Sequence, residues 1–307
     1  MKNRNQIIIP VILCFTFAVG ALLSAMTPAA NANTPETLEP VLLDSSKITI
    51  ASLTPPIDSG SDNAISIMID GRILAMSSPA LLIDSTTYVP LYDFCRIVGP
   101  TTITQDGDVT IVSLAGLVIE ASPDNYYIKA NGRYLYTPTL CKVIDNVMYV
   151  PIRSLMKAHG TAATWEPSSR TVYVSTPFTP IESGDSFYNQ TDLYWMSRII
   201  SAEARGECAD GRIAVGNVVM NRVRASVFPN TVHGVIFDRR SGIQFSPAYS
   251  GSIYRTPNQE CIIAAKLALD DADVVGNSMY FNMARRSSWA SRNRVYVTTI
   301  GNHDFYA

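Results

Sequence analysis

Apolar positions recur at three- and four-residue steps through residues 191–205. Leu193, Met196, Ile199 and Ile200 form the stripe of an amphipathic helix opening at Thr191. The next step along that stripe lands on Glu203. Residues 212–225 behave differently, because Ile213, Val215, Val218, Val219 and Val223 make the segment apolar almost all round, which predicts a central helix. Asn217, Asn221 and Arg222 lie on it and must find partners if it is buried. Another helix opens at Thr256-Pro257-Asn258-Gln259, with a capping-box pattern and proline at its first position. Ile262, Ile263, Lys266 and Leu269 follow. Strands are predicted over Ser278–Asn282 and Arg294–Ile300, and Gly301-Asn302 forms a turn delivering His303, Phe305 and Tyr306. The pattern predicts a mainly helical domain with a small β element.

Residues 65–175 follow a strand-like pattern that repeats. Asp70-Gly71-Arg72 is answered by Asn131-Gly132-Arg133, Asp84 by Asp145, and Tyr88-Val89-Pro90-Leu91 by Tyr149-Val150-Pro151-Ile152. All three matches share one offset, the mark of an internal duplication. Each copy reads as strand, glycine turn, strand, then Tyr-Val-Pro opening a short helix. The helices are placed at Leu91–Val98 and Ile152–His159, stopped near Gly99 and Gly160. Each copy then ends in β-rich residues, Val109–Leu114 and Thr171–Ser175.

The start of the chain reads as an export signal. Lys2 and Arg4 precede the apolar run Ile7 to Met26, and Ala30-Asn31-Ala32 offers a small-residue cleavage site. The run is long for a signal, which leaves an uncleaved anchor open. Thr, Pro, Ser, Asp and Asn dominate residues 33–63, the composition of a flexible tether. The expected organisation is signal 1–32, linker 33–63, duplicated module 64–176, linker 177–190 and C-terminal domain 191–307.

Charge changes the picture only slightly. The chain of 307 residues carries a formal net charge of −2, and no nucleic-acid partner is expected. Residues 33–186 hold 16 acids and 9 bases, whereas residues 187–307 hold 10 acids and 13 bases. A mildly basic C-terminal half suits an anionic polymer. Outside the signal, Cys95, Cys141, Cys208 and Cys261 allow three pairings or four reduced thiols. Pairing Cys95 with Cys141 and Cys208 with Cys261 keeps each bridge within one half.

Glu203 is the leading candidate for chemistry. A carboxyl on an apolar face is costly to ionise, and a raised pKa suits a general acid near neutral pH. The competing reading pairs it with Arg205 or Arg222. Glu207 falls one helical turn further on; if the helix ends at Gly206, it is a loop residue supporting the site or contacting substrate. Cys208 with His233 or His303 offers a weaker alternative, a thiol peptidase or amidase, without an oxyanion-hole pattern. No metal-ligand spacing is present, so neither a metal nor a cofactor is expected.

The two copies in 65–175 resemble the small α/β module named after the N-terminal domain of copper amine oxidases. The resemblance implies a wall-binding or spacer module without copper chemistry, since His159, His233 and His303 are dispersed. Residues 193–307 resemble the catalytic domain of the spore-cortex-lytic, cell-wall hydrolase family. The stretches that carry this are Glu203-Ala204-Arg205-Gly206-Glu207, Ala214-Val215-Gly216, Asn221-Arg222-Val223, Phe228-Pro229-Asn230-Thr231 and Gln244-Phe245-Ser246. Tyr280-Phe281-Asn282 and Ile300-Gly301-Asn302-His303 complete the series, in family order. Two departures fall at Arg239-Arg240-Ser241-Gly242 and at Met283-Ala284-Arg285-Arg286, the latter at the expected groove edge.

The resemblance implies an α+β, lysozyme-like fold. It also implies cleavage of the N-acetylmuramic acid to N-acetylglucosamine bond by lytic transglycosylation, in spore cortex or other wall. In that mechanism one carboxyl protonates the glycosidic oxygen. The same group then takes a proton from the muramic 6-hydroxyl, closing an anhydro ring. The first Glu of the motif implies this role for Glu203. Glu207, Asn221, Arg222, Gln244, Ser246, Tyr280, Asn282 and His303 are the expected substrate-binding residues. Peptidoglycan is the expected partner, with accessory spore or wall proteins beside it. No stable membrane insertion is expected once the signal is cleaved, and the protein is expected in the wall or spore envelope. The alternative is a non-catalytic peptidoglycan-binding protein.

Overall fold

The computed structural model describes residues 63–307. The signal and tether expected over 1–62 lie outside the described residues. Among those described, no helix is long and apolar enough to cross a membrane.

The N-terminal half opens with β1 (Ala64–Ile69), β2 (Arg72–Ile73), β3 (Ala80–Ile83), β4 (Thr86–Pro90), α1 (Leu91–Val98), β5 (Thr101–Asp106) and β6 (Val109–Leu114). After β7 (Leu117–Ala121) come β8 (Tyr127–Ala130), β9 (Arg133–Tyr136), β10 (Lys142–Ile144), β11 (Val147–Pro151), α2 (Ile152–Ala158), β12 (Ala163–Glu166) and β13 (Thr171–Val174). Corresponding turns use the same backbone geometry. Asp70 and Asn131 both have φ of 47°, and the glycines that follow, Gly71 and Gly132, have φ of 79° and 80°. Consecutive left-handed residues build tight hairpins that Asn, Asp and Gly tolerate best.

The two stretches share their sheets. β4 pairs antiparallel with β11 through the Tyr-Val-Pro segments, Val89 facing Val150. β1 pairs in parallel with β13. One sheet runs β10-β11-β4-β3-β1-β13-β12 with β2 against β1, and the other runs β5-β6-β7-β8-β9. Leu117, Ile119 and Ala121 alternate inward along β7, as period-two patterning requires. They join Phe94, Leu135, Val150 and Leu155 in one buried core.

The segment 177–190 is fitted rather than free. Phe178 and Ile181 pack against the module core, and α3 (Gly184–Phe187) forms within it. A Cβ at Gly184 would sit 2.5 Å from the Gly132 carbonyl, so only glycine allows this approach.

The C-terminal half holds α4 (Gln190–Ala204), α5 (Ala209–Arg224), α6 (Val232–Ile236), α7 (Pro247–Ser250), α8 (Gln259–Leu269), β14 (Tyr280–Met283), α9 (Trp289–Asn293), β15 (Tyr296–Ile300) and β16 (His303–Tyr306). The last strands form a three-stranded sheet, β14-β16-β15. Over the described residues the protein is therefore a mixed α/β structure with substantial sheet, more than the helical pattern of its C-terminal half suggests. The helix α5 is central, with Ile213, Val215, Val218 and Val219 buried. At Gly216 a Cβ would meet Ala268 at 2.6 Å and Ile200 at 3.2 Å, so the glycine lets α4 and α8 close onto α5. α8 starts later than the capping pattern predicts. Its cap is Asn258, whose side chain accepts from the Cys261 amide at 3.1 Å. Pro257 therefore lies outside the helix instead of at its first position.

The halves meet across β9 and the end of α8. Arg133 donates twice to the Asp270 carboxylate, both at 2.8 Å, and Lys157 lies 2.6 Å from it. Tyr136 donates to Asp210 at 3.2 Å. The rings of Tyr127, Tyr134 and Tyr136 pack on the C-terminal core. All four described cysteines are free thiols, Cys208 exposed and the others buried, so neither within-half disulfide is formed. Cys95 instead sits 3.9 Å from Nε2 of His159.

Candidate active site

Asn189 caps α4 by accepting from the amides of Thr191 and Asp192. The helix then presents Met196, Ile199, Ile200 and Ala204 to the core. Glu203, in the last turn, lies half-buried at the end of that stripe. Burial pushes its carboxyl up to about 7. The ion pairs weighed against catalysis do not form. Arg205 donates to the Thr256 carbonyl at 3.0 Å, and Arg222 Nε donates to the Met279 carbonyl at 2.7 Å. No hydrogen bond or ion pair holds the Glu203 carboxyl among the described residues.

Glu207 is a loop residue past the end of α4 and is differently placed. It accepts from the Asn302 amide and from Asn302 Nδ2, each at 3.0 Å, with His303 Nδ1 at 4.0 Å. Burial alone would raise this carboxyl, but the Asn302 hydrogen bonds, aided by His303, hold it below its usual range. Two carboxyls of the same motif are thereby driven apart, one toward the acid form and one toward the ion. Gly301 is required against the Glu207 carboxylate, because a Cβ there would overlap its Oε2. Burial keeps His303 below its usual range, the neutral form. Its Nδ1 is buried without a hydrogen bond.

Several expected substrate-binding side chains are spent on backbone. Asn221 donates to the carbonyls of Gly276 and Ser278 at 2.7 and 2.9 Å. Asn217 likewise bonds Ala272 and Val274. Asn282 donates to Met283 and accepts from Ser288 Oγ at 2.6 Å, fixing the loop that follows β14. Side chains on α5 thus staple residues 272–279 in place. Ser246 precedes α7 exposed, without a capping bond from its side chain.

Tyr280 and Gln244 do line an open groove of about 900 Å³, together with Phe228, Asp238, Arg240, Ser241, Trp289 and Arg294. Arg222 lies beneath, its guanidinium about 5 Å from the rings of Phe228, Phe245 and Tyr280. Burial lowers Arg222 to about 10. Glu203 is not among the groove-lining residues. Trp289 and Arg294 were not singled out by sequence reasoning. Their only signal was an exposed-looking aromatic near basic residues in a segment without periodicity.

The structure brings no histidine to Cys208. That thiol is exposed at the N-cap of α5, and no contact with His233 or His303 is found among the described residues.

Residues 206–306 match the family model described as Cell Wall Hydrolase, and residues 68–174 match that of the Copper amine oxidase N-terminal domain. The first match begins just past Glu203. A spore cortex-lytic enzyme of Bacillus cereus is 39% identical over 119 residues, 38% of this chain and 45% of that protein. One from Oceanobacillus iheyensis is 35% identical over 131 residues, 42% of this chain and 45% of that protein. The chain thus spans less than half the length of these curated relatives. Among solved structures, the catalytic domain of the germination-specific lytic transglycosylase SleB from Bacillus anthracis is 35% identical, with 41% of this chain covering 100% of that one at a TM-score of 0.36. This protein carries a cell wall hydrolase domain behind a copper amine oxidase N-terminal-like domain, and spore cortex-lytic enzymes are its homologues.

Proposed function

We propose that the C-terminal domain cleaves the MurNAc–GlcNAc bond of peptidoglycan by lytic transglycosylation, with Glu203 as its single acid and base. The observation that carries this is a half-buried carboxyl raised to about 7 with no hydrogen-bond or ion-pair partner among the described residues. Such a group is protonated often enough near neutrality to give a proton to the glycosidic oxygen. Once charged, it can take the proton of the muramic 6-hydroxyl. Glu207 does not share this work in our reading, because its oxygens are engaged by Asn302. It holds the turn beside the site instead.

The names of the homologues support spore cortex as one setting, with the protein exported to the wall or spore envelope. The matching φ values and strand order of the N-terminal half support a duplicated module. Its docking through Arg133 and Asp270 supports a spacer role.

Digestion of purified peptidoglycan in H2(18)O tests the reaction. Transglycosylation closes the ring internally, so the muramic ends take up no heavy oxygen. Heavy oxygen at those ends would mean hydrolysis by water and would sink the mechanism. Insoluble, unchanged peptidoglycan would favour the binding-protein alternative.

A further inference from the structure

Two tyrosines of the N-terminal half reach the segment that follows Glu203. Tyr126 precedes β8 and Tyr136 closes β9. The Thr137 amide donates to the Tyr126 carbonyl at 2.8 Å, which holds the pair side by side. Both rings pack on the C-terminal core. The Tyr136 hydroxyl donates to Oδ1 of Asp210 at 3.2 Å, and the Arg212 guanidinium donates to the Tyr126 hydroxyl. Burial and the Asp210 charge push the Tyr136 phenol up, so it keeps its proton and remains a donor.

Asp210 and Arg212 stand at the opening of α5, directly after the loop 205–208 that leaves α4 two residues past Glu203. That loop is open on one side, since a Cβ at Gly206 would meet nothing within 4 Å. A mostly exposed loop of this kind keeps its place through its hydrogen bonds. Arg212 Nη1 supplies one, donating to the Glu207 carbonyl at 2.6 Å. Gly211 lets the helix close on the same residue, because a Cβ there would meet Cβ of Glu207 at 2.8 Å. The Glu207 carboxylate in turn holds the amide and side chain of Asn302. Direct contacts therefore run from Tyr126 to Arg212, to Glu207, and to the turn beside the site.

We propose that the N-terminal half positions the catalytic motif, with Tyr126 and Tyr136 acting through Arg212 and Asp210 to fix the loop from which Glu207 ties down Asn302. Its effect on rate rests on the peptidoglycan reading above. The two tyrosines are positioning residues, since they act through α5 and Glu207. The module thereby does more than space the C-terminal domain from the wall. A single acid and base must meet both the glycosidic oxygen and the muramic 6-hydroxyl, so small displacements of the end of α4 or of the facing turn cost rate. Contacts of this kind affect turnover at saturation more than the amount of substrate needed to reach it.

The test compares the full chain with a Tyr126→Phe, Tyr136→Phe double variant, which loses two hydroxyls and no ring. Tyr127→Phe is the control, because its ring packs in the same interface and its hydroxyl answers to Tyr134, Tyr126 and Glu120, not to α5. Amide hydrogen exchange at Asn302 reports the bond to Glu207 directly. The double variant should exchange there about five- to tenfold faster, as loss of one or two hydrogen bonds implies. Its rate of peptidoglycan solubilisation at saturation should fall about fivefold, with the half-saturating amount held within about twofold. Tyr127→Phe should change neither quantity. Unchanged exchange at Asn302 in the double variant would overturn the proposal. So would equal acceleration by Tyr127→Phe, which would mean a general loosening of the interface. Faster exchange with an unchanged rate, or a loss confined to the half-saturating amount, would remove the positioning role. Exchange needs no substrate, so a parent that releases no anhydro-muramic ends would sink the glycan chemistry and leave this contact path measurable.

Discussion

At the scale of single residues, Glu203 ties stability to pH in a direction opposite to most carboxylates. Its pKa rises from an ordinary 4.5 to about 7 in the folded protein. As pH climbs between those values the unfolded chain releases its proton first, so folding stability falls through that window and flattens above it. Glu203→Gln removes the slope. At pH 8 the variant should be more stable than the parent by about 1–3 kcal/mol, a rise of a few degrees in Tm. Calorimetry at pH 5 and pH 8 checks this, and equal gains at both would contradict it. Activity should decline as pH rises past about 7, when the acid form is lost. A rate that still climbs at pH 9 would contradict that role. Glu203 was legible in the sequence because helix periodicity alone puts it at the end of an apolar stripe. The work of Asn221 and Arg222 was not, because their partners at Gly276, Ser278 and Met279 lie 55 to 57 residues away.

At the scale of elements, the turn between β15 and β16 is held to the start of α5 by Glu207 and Asn302. Gly301 has φ of +58° and no room for a Cβ. Gly301→Ala should therefore cost about 1–3 kcal/mol through backbone strain and loss of that tie. Glu207 has a depressed pKa, so its contribution is present above the ordinary carboxylate range and is lost as pH falls below it. The penalty of Gly301→Ala, read from urea midpoints, should accordingly shrink in acid. A penalty that does not change with pH would mean that strain alone is responsible. Helix placement was legible wherever a stripe or cap is local, as in α1, whose span over Leu91–Val98 follows from its pattern. The start of α8 was not legible because Thr256 and Asn258 both offer caps, and the helix uses Asn258.

At the scale of the whole molecule, the buried Arg133–Asp270 pair joins the module to the C-terminal core. Their side chains are 10% and 1% exposed. Asp270→Leu would leave Arg133 buried without its carboxylate and should cost about 3–5 kcal/mol. Calorimetry should then resolve two transitions where the parent shows one, and a single unshifted transition would contradict coupling of the halves. This docking was not legible, since Arg133 looked like a repeat position and its partner lies 137 residues on. The matching motifs were visible at one offset, but the pairing of β4 with β11 and of β1 with β13 depends on contacts that no local pattern encodes. In the proposed reaction one carboxyl cleaves the glycan without water. Its most direct test is mass spectrometry of the soluble products from purified peptidoglycan, with the parent and Glu203→Gln in parallel. Anhydro-muramic ends are expected from the parent and none from the variant. Reducing muramic ends from the parent, or the same products from both proteins, would contradict it.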